Sequence, residues 1–105
     1  MKDLLGMMGK ARELQGKMQQ VQEEIGALRV EGKSGGGLVG ITLSGKGDLV
    51  TIALDPSLLR AEDREMLEDL IVAAHNDARA KLETATQEKM QAIAGGLGLP
   101  GLPGL

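Results

Sequence analysis

Leu4, Met7, Ala11, Leu14, Met18, Val21, Ile25 and Leu28 follow one another at spacings of 3, 4, 3, 4, 3, 4 and 3. That alternation is a heptad seam. It predicts one long helix over the first quarter of the chain, with a narrow apolar stripe made to pack against another helix. The remaining faces are polar, with Gln15, Gln19, Gln20, Gln22, Glu23 and Glu24 among them. Gly6, Gly9, Gly16 and Gly26 interrupt the segment, each weakening a helix by about 1 kcal/mol relative to Ala. A helix so punctuated depends on a partner along its seam, and its start is expected to fray.

The period then changes from helical to twofold. Leu28–Lys33 alternates Leu28 and Val30 with Arg29 and Glu31; Leu38–Ser44 places Val39, Ile41 and Leu43 on one face; Leu49–Leu54 does the same with Val50, Ile52 and Leu54. These read as three strands joined by Gly35-Gly36-Gly37 and by the turn residues Ser44-Gly45-Lys46-Gly47-Asp48, an antiparallel meander with one apolar face. Pro56 bars the α region at Asp55 and can open a helical turn itself. A second long helix is expected from about Ala61 to Ala94, with Met66, Leu67, Leu70, Ile71, Ala74, Ala78, Leu82, Ala85, Met90 and Ile93 as its apolar positions. The fold class is therefore α+β, in the order α-β-β-β-α, with residues 1–94 as a single domain. Residues 95–105, all Gly, Leu and Pro, read as a disordered tail.

Gly32-Lys33-Ser34 imitates a phosphate-binding loop. Such a loop carries four residues between its first glycine and the Gly-Lys-Ser, and it follows a strand and opens a helix. Position 27 is Ala, and Gly26 is one residue too early. A helix precedes the motif here and a strand follows it. The segment reads as a turn between strands.

Other chemistry is equally thin. There is no Cys, Phe, Tyr or Trp. That excludes a thiolate metal site, a cysteine nucleophile and the usual base-stacking platforms, and leaves a core of Leu, Ile, Val, Met and Ala. His75 is the single histidine, with no ligand or triad partner at helical spacing. Ser34 and Ser44 lie in glycine turns without a base near in sequence. The expectation is no enzyme, no metal, no cofactor and no small-molecule substrate. Met1-Lys2-Asp3-Leu4 opens no signal peptide and no membrane span follows, so a cytoplasmic location is expected.

Charge is unevenly laid out along the chain. Residues 1–22 carry a net +2 and residues 61–69 a net −4, within a chain of formal charge −3. Because the strands connect the end of the first helix to the start of the second, the free tips are the start of the first and the end of the second. This assigns Lys2, Lys10, Arg12, Lys17, Arg79, Lys81 and Lys89 to the tips, as candidate phosphate contacts, and the acidic residues to the region of the sheet. The helices, at ~1.5 Å per residue, outrun strands of roughly 20 Å. Their uncovered stripes and the open sheet favour a second copy. Leu14, Met18, Val21, Ile25, Val39, Ile41, Leu43, Val50 and Ile52 are the candidates for core or dimer interface.

Four stretches taken together are distinctive: Lys17-Met18-Gln19-Gln20-Val21-Gln22-Glu23-Glu24, Val30-Glu31-Gly32-Lys33-Ser34-Gly35-Gly36-Gly37-Leu38-Val39, Asp55-Pro56-Ser57-Leu58-Leu59, and Glu68-Asp69-Leu70-Ile71-Val72-Ala73-Ala74-His75-Asn76-Asp77-Ala78. With the Gly-Leu-Pro tail they resemble the YbaB/EbfC family of bacterial nucleoid-associated proteins over nearly the whole chain. His75 departs from the family pattern, which has Phe there, and reads as a packing variant. The resemblance implies a tight homodimer whose paired sheets form a base with helices projecting like tweezer arms. It also implies binding of double-stranded DNA with low or broad sequence preference, a nucleoid location, and possible effects on nucleoid organisation and gene expression. It assigns no individual DNA-contacting residue. The competing reading is a helical-arm scaffold or chaperone-like protein that grips other proteins.

The turn reading of Gly32–Gly37 has a direct test. Calorimetry with ATP is expected to show no tight binding in the wild type or in Lys33→Ala. Tight binding that disappears in the variant would restore the phosphate loop.

Overall fold

The computed structural model describes residues 2–96. Helix α1 spans Lys2–Ala27, strands β1, β2 and β3 span Arg29–Ser34, Val39–Ser44 and Leu49–Leu54, and helix α2 spans Arg64–Gly96. Short 3-10 turns at Pro56–Leu58 and Ala61–Asp63 lead into α2. The predicted order α-β-β-β-α is the observed one. The predicted second helix differs at both ends: its first turn is 3-10, and it runs two residues further, through Gly95 and Gly96. Glycine disfavours a helix without forbidding it. The rest of the predicted tail, residues 97–105, lies outside the described residues.

The strands form one antiparallel sheet in the order β1-β2-β3. Gly35, Gly36 and Gly37 take φ values of +62°, +69° and +97°, a left-handed run that residues with a Cβ adopt only with strain. This is the physical reason for the glycine triplet, and it serves a turn between two paired strands. The second turn is closed by the Ser44 N–H donating to the Asp48 carbonyl at 2.9 Å and the Asp48 N–H donating to Ser44 Oγ at 3.1 Å.

Helix α2 lies across β1 and β2. Val39, Ile41 and Leu43 from β2 meet Ala74 and Ala78 from α2, with Leu58 closing one end and Leu67, Leu70 and Ile71 around them. The approach is closest at Gly32. A Cβ there would run into the Ala74 carbonyl and the Ala78 backbone, 2.7 Å from the Ala78 Cα. One glycine and two alanines thus let a helix rest directly on a strand.

The same helix closes the outer edge of β1. The Lys33 N–H donates to Asp77 Oδ2 at 3.0 Å, Lys81 Nζ donates to the Glu31 carbonyl at 3.1 Å, and Ser34 Oγ donates to the Leu70 carbonyl. Asp77 and Lys81 pair with each other at 2.9 Å. Two of the backbone groups that would template another strand, the Lys33 N–H and the Glu31 carbonyl, are therefore occupied. The opposite edge is different. β3 pairs with β2 on one side and, among the described residues, has no strand on the other.

The register also fixes what β3 presents. Ile52 sits opposite Ile41 and Leu54 opposite Val39, and a bulge brings Leu49 opposite Leu43. The bulge gathers Leu49 and Val50 onto the same face as Ile52 and Leu54. This is the face α2 covers over β1 and β2. Over β3 it stays open, with Val50 50% and Ile52 43% exposed.

The protomer measures 74 × 24 × 15 Å with a radius of gyration of 20.0 Å, against ~13 Å for an ordinary 100-residue domain. The excess length is helix. Residues 3–16 of α1 are all exposed, whereas Val21 and Ile25 are buried.

The close approach at Gly32 has a measurable consequence. Gly32→Ala should destabilise the protein by ~1–3 kcal/mol in urea denaturation, because backbone must move to admit the methyl group. Gly9→Ala, at a helical position with nothing within 4 Å, should instead raise the helical circular-dichroism signal. Equal effects at the two sites would contradict the close approach.

Asp77 supplies a test in pH. Its hydrogen bond from the Lys33 N–H, and then its contact with Lys81, hold the carboxyl below its ordinary value of 3.8. A depressed carboxyl pKa contributes stability above the unfolded value, and that contribution fades as pH falls through the folded one. The melting-temperature gap between wild type and Asp77→Ala should thus be full at neutral pH and shrink below about pH 4. A gap unchanged into that acid range would show that the ionised carboxylate contributes nothing.

Candidate nucleic-acid interface

The surface with the chemistry to hold a polyanion is the first half of α1. α2 packs along the later part of α1, where Val21 and Ile25 are buried and Lys89 reaches Glu24 at 3.6 Å. Beyond that contact α1 continues alone. Lys10 and Arg12 lie on this free stretch, both exposed and neither in an ion pair among the described residues. Lys17, next along, is held by Glu13 at 3.4 Å, an exposed i,i+4 pair of small energetic weight. Lys2 is the first residue of α1.

The cations assigned to the end of α2 are placed differently. Arg79 adjoins the buried Ala78, over the sheet. Lys81 is engaged with Asp77 and the Glu31 carbonyl at the edge of β1. Lys89 is paired with Glu24 where the two helices meet. None of the three stands at a free tip. The physical reason is that α2 spends its first half on the sheet, so much of its length is used before it passes the start of β1. The cationic tip is therefore built from α1.

Two cations that charge layout did not single out lie at the other end of α1. Arg29 Nη1 donates to the carbonyls of Gly26 and Leu28 at 3.3 and 2.8 Å, and Lys46 from the β2–β3 turn lies beside Gly26. Both sit where the helix dipole is negative. No sequence signal marks Lys46, because it arrives from another element. The acidic residues Glu62, Asp63, Glu65, Glu68 and Asp69 gather at the start of α2, the end remote from Lys89. The polarity read from the sequence is thus present in three dimensions, although fewer cations carry it.

The apolar candidates divide in two. Val21, Ile25, Val39, Ile41 and Leu43 are buried, and Met18 is half-buried. Leu14, Val50 and Ile52 remain exposed in the single chain. Among the described residues no group of three His, Asp or Glu converges to hold a metal, and no helix is long and apolar enough to cross a membrane.

Comparison with known proteins converges on one family. The sequence pattern of the YbaB/EbfC DNA-binding family matches residues 1–97. The chain is 59% identical over 100 residues to the nucleoid-associated protein BRADO0764 of Bradyrhizobium sp. strain ORS 278, covering 95% of this chain and 94% of that protein. It is 57% identical over 105 residues to a nucleoid-associated protein of Rhodopseudomonas palustris strain TIE-1, covering 100% and 97%. An uncharacterized protein of Helicobacter pylori, known from its crystal structure, superposes with a TM-score of 0.59 at 32% identity, over 81% of this chain and 92% of that one. With the fold and the cationic helix in place, these matches make the chain a member of the YbaB/EbfC DNA-binding family.

Proposed function

We propose that two copies of this chain join through the open edge and apolar face of β3, and that the dimer binds double-stranded DNA with little sequence preference as part of the nucleoid. The observation that carries the DNA reading is the free half of α1. It is exposed on all sides and bears Lys10 and Arg12 without acidic partners, while the acidic cluster lies at the far end of α2. Phosphates meet positive charge at the arm and negative charge at the base, which orients a duplex without reading its bases. The names of the relatives support a nucleoid location.

The dimer reading rests on Leu49, Val50, Ile52 and the unpaired backbone beside them. An apolar face beside an edge left open in this way favours burial against a second copy, and a twofold interface is the commonest closed solution. Two copies would place two α1 arms on one base and double the local charge. Binding to DNA in this way needs no catalytic step or cofactor. By altering how DNA is folded and reached it would influence nucleoid organisation and gene expression.

One observation favours the competing reading of a protein-binding scaffold: Leu4, Met7 and Leu14 continue the seam beyond α2 and are exposed. The steepness of the salt dependence separates the two readings, because each phosphate neutralised releases condensed counterions and adds about 0.9 to the slope of log K against log salt.

Sedimentation equilibrium at micromolar concentration should return a dimer for the wild type, and Ile52→Lys should move the mass toward the 11.0 kDa protomer. A wild-type protomer across that range would refute the dimer. Gel shifts on unrelated duplexes should show similar affinities that fall steeply with salt. Lys10→Gln with Arg12→Gln should weaken binding alike on all sequences and lower the salt slope by about 0.9 for each phosphate no longer neutralised. Unchanged affinity and slope would move the DNA surface away from α1.

A further inference from the structure

Beside the heptad seam, one residue further round α1, runs a second stripe at the same spacing: Leu5, Met8, Arg12, Gln15, Gln19, Gln22 and Gly26. A one-residue step turns a helix by ~100°, so this stripe lies about a quarter-turn round from the seam, beside the one that packs on α2. It contains no Asp or Glu along the whole helix. Arg12 lies within it, and at its base Lys46 lies beside Gly26. Gln15, Gln19 and Gln22 are exposed. Leu5 is 69% and Met8 49% exposed, at positions the heptad seam does not use. From Leu5 to Gly26 the stripe runs ~32 Å, close to the ~34 Å of one turn of B-DNA.

We propose that this stripe meets the bound duplex, and that Leu5 and Met8 on it act as an apolar wedge at a base step, bending the DNA. The proposal rests on the DNA-binding reading above. A protein partner would be met by a stripe that stays apolar. This one passes from two apolar residues to a guanidinium and three amides with no acid among them, which complements a ligand presenting base steps next to phosphates. The chain has no aromatic residue to stack on a base, whereas Leu and Met are side chains that other proteins insert between base steps from the minor groove. Arg12, one turn from Met8, would anchor a phosphate beside the opened step, and the amides would follow the backbone toward Lys46.

The experiment uses the full chain and short duplexes carrying a donor–acceptor pair at their ends and, in a second set, 2-aminopurine at central steps. Affinity is read by anisotropy in the same titration. Wild type should shorten the end-to-end distance and brighten 2-aminopurine several-fold. L5Q/M8Q should still bind, with an unchanged salt slope and only a modest fall in affinity, but without shortening or brightening. L4Q/M7Q, on the neighbouring seam, should keep both signals, which separates a wedge from a general weakening of the arm. Wild-type binding without shortening, equal bending by L5Q/M8Q, or equal impairment of both double variants would overturn the proposal. Failure of the wild type to bind any duplex at low salt would instead overturn the DNA-binding reading beneath it.

Discussion

The contact of Gly32 with Ala74 and Ala78 decides how the rest of the molecule is arranged. Without a Cβ at residue 32, α2 settles against β1 closely enough for Asp77 and Lys81 to reach the strand's outer backbone. Once pinned there, the helix spans β1 and β2 and stops short of β3. A larger residue at position 32 would lift the helix, loosen Val39, Ile41 and Leu43 beneath it, and reopen the edge that α2 now closes.

From that placement follow two surfaces left uncovered among the described residues. One is the apolar face and free edge of β3, enlarged by the bulge that turns Leu49 and Val50 the same way. The other is the first half of α1, which outreaches α2. The two differ in chemistry. The strand is apolar, with Leu49, Val50 and Ile52 exposed. The helix is mixed, with cations on a surface that also shows Leu and Met, suited to a polyanion with apolar steps. The start of α2, with Glu62, Asp63 and Glu65, is acidic.

Much of the fold was legible because period alone reveals it. The 3-4 spacing from Leu4 to Leu28 announced α1, the twofold alternation in residues 28–54 announced three strands, and the glycine triplet announced a turn. Placement was not legible. Nothing in the spacing of α2 says which strands it crosses, because that choice is made by Gly32, whose partners lie more than forty residues away. Arg79, Lys81 and Lys89 were therefore assigned to a tip that they do not occupy. Lys81 serves a strand edge and Lys89 a helix contact. The bulge in β3 has no sequence signal for a related reason: Leu49 and Val50 are consecutive residues of a regular strand pattern, and only their pairing with β2 shows both on one face. Charge layout named cations on both helices, and the structure leaves Lys10 and Arg12 on a stretch of α1 that α2 does not cover.

If DNA lies on α1 while the sheet serves as a frame, the two regions must respond differently to a duplex. Hydrogen exchange followed by mass spectrometry, with and without a duplex at low salt, tests this most directly. In the free protein the amides of residues 39–43 and 70–78 should exchange slowly and those of residues 3–16 quickly. Adding duplex should slow exchange in α1 and leave the sheet as it was. Protection that appears in residues 29–54 while α1 stays unchanged would contradict the assignment of DNA to α1.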